Sequence, residues 1–137
     1  MLQSAMQKTI RFMMVVPFIS IFLYGGQMTQ EAFEQTLKKC EIQENGAACA
    51  RLYYYFISSK HSYLAALQAD KQKALYYAKK GCRLSDRDGC FSAGMTLYYG
   101  DRHAGITADR DEGRRLIKKA CELGKDDVCT FFLNPNF

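Results

Sequence analysis

Six cysteines are the residues of this sequence best suited to chemistry, and their spacing indicates covalent pairing with one another. They are Cys40, Cys49, Cys82, Cys90, Cys121 and Cys129. Their positions group them into three close pairs, 40 with 49, 82 with 90 and 121 with 129, which are separated by much longer intervals. An even number of cysteines in a short chain is typical of an exported protein with a disulfide framework.

The cysteine pairs belong to an internal repeat. Residues 78–84 (AKKGCRL) align with residues 117–123 (IKKACEL) at a constant offset, and the second cysteines, Cys90 and Cys129, keep that offset. A fainter copy, LKKC, lies at residues 37–40, and in every copy the second cysteine stands at the same distance from the second lysine. A period of roughly 40 residues is typical of a solenoid built from helix pairs.

Apolar periodicity predicts six helices joined by short polar turns. Small and apolar residues fall on one helical face, as at Ala74, Ala78 and Cys82 in the second copy and Gly113, Leu116, Ile117 and Ala120 in the third. The predicted helices cover residues 29–43, 46–58, 70–83, 87–99, 110–122 and 126–133. Asp109, with Glu112 three residues later, has the form of a capping box at the start of the fifth helix.

Each cysteine pair lies across one of the predicted turns. Residues eight apart in a continuous helix would be about 12 Å apart along its axis, beyond disulfide reach. A bond within each pair therefore requires a turn between two antiparallel helices. Closing a loop of about nine residues stabilises the fold by about 2.5 kcal/mol in the chain-entropy description. The expected fold is an all-α solenoid of disulfide-stapled αα-hairpins.

The N-terminal segment, 1–26, has the pattern of a targeting sequence. Lys8 and Arg11 lead into an uncharged run at 12–24, which contains Pro17. This run is shorter than the roughly 20 residues of a membrane-spanning helix and is typical of a secretory signal peptide. An uncleaved anchor or a buried apolar helix would give a similar pattern. We expect a signal peptide or anchor at 1–26, then a repeat domain at 27–137 with approximate units 29–67, 68–107 and 108–137, and a secreted or periplasmic location.

The charge balance argues against a nucleic-acid partner. The formal net charge is +5, but Lys8 and Arg11 precede the repeat domain, which carries 17 basic and 14 acidic side chains, a net charge of +3. The sequence also lacks a basic stripe with interleaved aromatic residues. The content of 48% hydrophobic and 24% charged residues is that of a globular chain.

These motifs together resemble Sel1-like repeats, and more narrowly the Helicobacter cysteine-rich proteins. The resemblance is carried by Lys-Lys-(Gly/Ala)-Cys-x-Leu, then Cys90-x-x-Ala93-Gly94-x-x-Leu97-Tyr98-Tyr99-Gly100, then Gly105-Ile106 and Asp109. It covers residues 68–129 well and 31–67 loosely. It implies a relative of tetratricopeptide repeats in which a disulfide bridges each helix pair. The first unit departs from the pattern: Tyr53 stands at the glycine position, and the cysteine spacing of 9 requires a different turn.

Two functions compete. A solenoid of helix pairs presents a concave face that usually holds a protein or peptide. The aromatic runs at 53–56, 76–77 and 98–99 favour this interpretation, because neighbours on a helix point about 100° apart and cannot all face the core. Any single tyrosine, however, is more often a packing residue. The family resemblance implies the alternative: binding of a β-lactam, or hydrolysis of its ring by a β-lactamase.

Independent support for catalysis is weak, and whether the chain is an enzyme stays open. No serine has a lysine three residues later, as a serine β-lactamase requires; Ser58 is followed by His61 and Ser59 by Ser62. His61 and His103 are too few for a histidine-rich zinc site. The cysteine spacings do not match zinc sites, and nucleotide-binding motifs are lacking. The sequence predicts no catalytic residue, metal or cofactor.

The charged clusters have structural explanations. Residues 85–88 (SDRD) and 109–112 (DRDE) hold paired carboxylates, which can perform acid–base chemistry. They fall in a predicted turn and at a predicted helix start, where aspartate normally caps a helix. The Lys-Lys pairs fall near helix C-termini and suit the negative end of the helix dipole.

Overall fold

The computed structural model describes residues 30–57 and 70–130, which form six α-helices and one short 3₁₀ helix. The α-helices are α1 Gln30–Glu41, α2 Gly46–Ile57, α3 Lys71–Arg83, α4 Arg87–Tyr99, α5 Arg110–Glu122 and α6 Asp126–Cys129, and the 3₁₀ helix is Arg102–Ala104. The all-α prediction is confirmed, and the first five helices end within about two residues of their expected bounds. The sixth was expected to reach residue 133 but ends at Cys129, and residues 131–137 lie outside the described chain.

The N-terminal targeting prediction falls outside the part of the chain that the structure describes, as does the boundary between the first two predicted units, 29–67 and 68–107. Both stay predictions. Within residues 30–57 and 70–130, no helix is long and apolar enough to cross a membrane.

The helices pack as three antiparallel hairpins in two layers. Helices α1 and α2, α3 and α4, and α5 and α6 form the hairpins, and the hairpins stack through α2 against α3 and α4 against α5. Helix α2 also packs directly against α4. We call α2, α4 and α6, which hold equivalent repeat positions, the inner layer, and α1, α3 and α5 the outer layer.

A disulfide closes each of these hairpins. The bonds are Cys40–Cys49, Cys82–Cys90 and Cys121–Cys129, with Cα–Cα distances of 4.8, 4.3 and 5.1 Å. Each bond joins the last turn of an outer helix to the first turns of the next inner helix. A disulfide therefore closes each tight turn that joins the two described helices of a hairpin.

Two of the three tight turns share one backbone geometry. In the second and third hairpins Ser85 and Gly124 take left-handed conformations, with φ of 62° and 89°. The amides of Asp86 and Lys125 donate to carbonyls five residues earlier, at 3.0 Å in each case. These turns span 84–86 and 123–125, whereas the first spans 42–45. The extra residue implied by the spacing of 9 therefore lies in the first turn.

Capping residues start the longer helices. Asp70, Asp86 and Asp109 each accept a hydrogen bond from the backbone amide three residues later. The capping box predicted at Asp109 is only half formed. The carboxylate of Glu112 binds Arg115 at 2.6 Å, and the Asp109 amide donates instead to the Leu97 carbonyl at 2.8 Å. The reciprocal half is absent because both groups have other partners.

Glycines allow the hairpins to stack at backbone distance. A Cβ added to Gly94 of α4 would lie 2.7 Å from Ile117 Cγ1 and 2.9 Å from the Gly113 carbonyl oxygen. A Cβ on Gly113 would lie 2.7 Å from the Tyr98 amide nitrogen. Ile117 is fully buried in the core beside Ala93, Leu97 and Val128. The glycine of the repeat motif therefore allows α4 and α5 to touch.

In the second and third copies of the repeat, the second lysine of the pair connects successive repeats. Lys119 Nζ donates to the Cys82 carbonyl oxygen, at the C-terminus of α3, at 3.0 Å. Lys80 Nζ binds Glu41 Oε2, at the C-terminus of α1, at 2.5 Å. The sequence predicts that a lysine near a helix C-terminus interacts favourably with the dipole of its own helix. The structure instead directs each of these side chains to the end of the preceding outer helix.

Replacing Gly94 with alanine tests the close contact between α4 and α5. The added methyl group has no space beside Ile117, so overpacking should lower the free energy of unfolding by about 2 kcal/mol. Denaturant unfolding of the oxidised protein measures this. Ala47→Ser adds one heavy atom at an exposed position of α2 and should change little. Equal stability of the two variants would contradict the packing argument.

Neighbouring lysines on α5 provide a matched pair of substitutions. Lys119→Met should destabilise by about 1 kcal/mol, because it leaves the Cys82 carbonyl without its charged donor. Lys118→Met removes the same charge at an exposed position, 3.9 Å from Glu122, and should change stability by less than about 0.5 kcal/mol. Thermal unfolding of both variants is the measurement, and a larger loss for Lys118→Met would refute the assignment.

Candidate functional site

Aromatic side chains line the exposed side of the inner layer. We call this surface the inner face and define it by Tyr53 and Tyr54 of α2, Asp88, Phe91 and Met95 of α4, and Lys125 of the last turn. Tyr54 is 51% exposed and meets the ring of Tyr53 edge to face, with 5.2 Å between centroids. The Tyr53 hydroxyl lies 3.3 Å from Thr96 Oγ1 on α4. Tyr53 therefore connects α2 to α4 and packs against the exposed ring of Tyr54.

Lys125 provides a cation on the inner face. Its Nζ lies 2.9 Å from Asp88 Oδ1, 3.7 Å from Asp127 Oδ2 and 5.3 Å from the centre of the Phe91 ring. The hydrogen bond with Asp88 raises the pKa of Lys125, partial burial lowers it, and the negative charges of Asp88 and Asp127 raise it further. The ammonium is thus held protonated over an aromatic ring, at one end of the face.

A second contact holds the same turn against α4. Arg87 Nη1 donates to the Gly124 carbonyl oxygen at 2.9 Å. Two consecutive side chains at the start of α4 therefore hold the α5–α6 turn. Arg87 binds the backbone of the turn, and Asp88 binds the side chain of Lys125. This places the cation of the inner face in register with Phe91.

Sequence reasoning missed Lys125, although the repeat contained a signal for it. The equivalent residues of the first two hairpins, Asn45 and Asp86, cap the following helix by accepting from the amide three residues later. Lys125 stands at that position in the third hairpin and makes no side-chain cap. A lysine at a capping position of the repeat indicates another role, and the structure gives it Asp88 and Phe91 as partners.

The aromatic runs divide between core and surface, as the helical period predicts. Phe56 is buried and stacks on Tyr77, with centroids 5.5 Å apart and planes 7° from parallel. Burial, and then the nearby carboxylate of Glu41, raises the pKa of Tyr77 to about 12. The neighbouring Tyr76 is 51% exposed on the outer helix α3, and Tyr99 is exposed at the end of α4.

The residues considered for acid–base chemistry are not assembled into a catalytic group. Asp86 and Asp109 are helix caps, and Asp88 binds Lys125. His103 is exposed in the 3₁₀ helix. Ser58, Ser59, His61 and Ser62 lie outside the described residues. Among residues 30–57 and 70–130, no group of three or more potential ligands could hold a metal ion.

A half-open pocket of about 380 Å³ lies in the loop between α4 and α5, lined by residues 99–102 and 105–108. Asp101 caps the 3₁₀ helix through the Ala104 amide and forms an ion pair with Lys71. The hydrogen bond with Lys71 lowers the pKa of Asp101, so the carboxylate remains ionised. Its hydrogen bonds tie this acid to the structure of the loop.

Comparison with known proteins gives one informative result. No family model matches the chain, and no curated protein matches it. Among solved structures, the chain is similar to Helicobacter pylori cysteine rich protein B (hcpB), with 30% sequence identity and a TM-score of 0.65. The alignment covers 77% of this chain and 73% of that protein. The repeat motif, the stapled hairpins and this similarity together show that the chain belongs to the Helicobacter cysteine-rich protein family of Sel1-like repeat proteins.

Proposed function

We propose that this protein is an exported scaffold that binds a peptide or protein segment on its inner face. The observation that carries the proposal is the half-exposed ring of Tyr54, which packs edge to face on Tyr53. The cation–π pair of Lys125 and Phe91 lies on the same face. Solenoids of helix pairs usually bind partners along one extended face. The chain belongs to a family with that architecture.

The chemistry of the face suits a partner with an apolar side chain beside a polar or acidic group. Tyrosine offers a large, rigid contact area at low entropic cost. Arg51 is exposed one turn before Tyr54 on α2, and the inner face also contains Lys125. Tyrosine and arginine are enriched among the residues that dominate binding energy. An extended segment that places an apolar side chain on Tyr54 would have two cations available for its polar or acidic group, Arg51 and Lys125.

Export is the second part of the proposal. Disulfides form and persist in oxidising compartments, and all six cysteines of this chain are bonded. The pattern of residues 1–26 supports a secretory signal. Three staples across tight turns would also stabilise a small repeat domain outside the cytoplasm.

Tyr54→Ala tests the binding face. Peptides are first selected from a displayed random library on the immobilised oxidised protein, and their affinities are then measured by calorimetry. Loss of an exposed aromatic contact at the centre of an interface should weaken binding by about tenfold or more. Tyr76→Ala is the matched control, because Tyr76 has the same 51% exposure but lies on the outer layer. It should change the affinity by less than about twofold.

Two results would oppose this proposal. Equal losses for both tyrosine variants would place binding elsewhere, and a library without any specific ligand would argue against a peptide scaffold. Turnover of a chromogenic cephalosporin by the same preparation measures the activity that the family resemblance implies. Turnover that survives Tyr54→Ala would assign an enzymatic function away from the inner face.

The intact mass of the protein recovered from the cell envelope or medium tests export. We expect a chain that begins near Gln27, and no mass increase on alkylation without reduction, because all six cysteines are bonded. Peptide mapping should recover the three bonds of the structure. A chain that retains Met1 and free thiols would show that the protein stays in a reducing compartment.

A further inference from the structure

The three disulfides differ in their access to solvent. Cys40, Cys49 and Cys90 have no exposed surface, and Cys82 is 2% exposed. The pair Cys121 and Cys129 is only half-buried. A reducing thiolate must reach a sulfur atom to break a disulfide, so access strongly affects the rate. Access therefore favours attack on the terminal bond.

The helix closed by this bond is also the most weakly held. Helix α6 has four residues, Asp126–Cys129, and starts at Lys125 without a side-chain cap. The two other inner helices have 12 and 13 residues and capped starts. A helix of this length has no stability of its own. Besides the disulfide, it is held by the buried side chain of Val128 and by the contacts of its preceding turn with Arg87 and Asp88.

We propose that Cys121–Cys129 is a redox-sensitive staple, which a dithiol reductant opens while the other two bonds stay closed. A thiolate of the reductant attacks one sulfur, the sulfur–sulfur bond breaks, and the other cysteine leaves as a thiolate that takes up a proton. The second thiol of the reductant then resolves the mixed disulfide. The reductant leaves as a cyclic disulfide, and two electrons have reduced Cys121 and Cys129 to thiols.

Opening this bond would act on the inner face, and this consequence rests on the proposed function. Lys125 immediately precedes α6, and its ammonium binds Asp88 and covers the ring of Phe91. Release of α6 would free the chain on the C-terminal side of Lys125, so the cation would be held only by its own turn, through Asp88 and the Arg87–Gly124 contact. Tyr53 and Tyr54 lie on α2, whose disulfide has no exposed surface, and would keep their positions. Reduction would thus weaken the hold on the Lys125 part of the binding surface and leave the tyrosine part intact.

Timed reduction of the oxidised full-length protein tests the order of opening. Dithiothreitol is added in limited amount, free thiols are trapped with iodoacetamide, and the modified cysteines are mapped by mass spectrometry. The first two alkyl groups should appear on Cys121 and Cys129, at least about tenfold faster than on the other four cysteines. The same reaction in a denaturant should reduce the three bonds at similar rates. Simultaneous opening in the native protein, or earlier reaction of another pair, would overturn the proposal.

Hydrogen exchange tests the release of α6 without a reductant. The double variant Cys121→Ser/Cys129→Ser lacks only the terminal staple, and its amides at 126–130 should exchange at least about tenfold faster than in the oxidised parent. Amides of α4 serve as the internal control and should keep their protection. Unchanged exchange at 126–130 would show that α6 stays docked, which contradicts the switch. Neither experiment uses a binding partner, so failure of peptide binding would leave these results unaffected.

Discussion

Covalent closure of the turns between antiparallel helices is the constraint on which the rest of this structure depends. Each disulfide joins the end of an outer helix to the start of an inner one and fixes a turn of only three or four residues. A closed turn this short forces the two helices to pack side by side. A domain of this size buries a limited core, and staples compensate by restricting the unfolded chain. The hairpins can then use their remaining surfaces to stack.

Stacking depends on residues that are small rather than large. Gly94 and Gly113 bring α4 and α5 to backbone contact, and small alanine side chains share the core cluster with Ile117 and Leu97. The lysines of the repeat also stabilise the stacking of successive hairpins, because Lys80 and Lys119 reach the C-terminus of the preceding outer helix. The Lys-Lys motif therefore acts as a connection between repeats, which explains why it recurs with the cysteines.

The inner face follows from the same geometry. Consecutive aromatic residues cannot all enter the core, so the runs at 53–56 and 76–77 each bury one ring and expose another, as Tyr77 and Tyr76 do. On α2 the exposed ring is Tyr54, and packing of α2 against α4 places it on the side shared by the inner helices. The third hairpin then replaces a helix cap with Lys125, which adds a cation to the face but leaves α6 weakly anchored. Recognition and local lability would thus arise from one substitution in the repeat.

The sequence by itself determined the helices, their order and the pairing of the cysteines, because these depend on local periodicity and on spacing between neighbours in the chain. The constant offset between the repeat copies and the fixed step from lysine to cysteine were sufficient for a stapled solenoid. Only the tertiary structure decided which ring of each aromatic pair is buried, that Lys119 serves the preceding helix, and that Lys125 binds Asp88. Those contacts join residues of successive repeats, far apart in the chain, and they depend on how one hairpin rotates against the next, which no local pattern encodes.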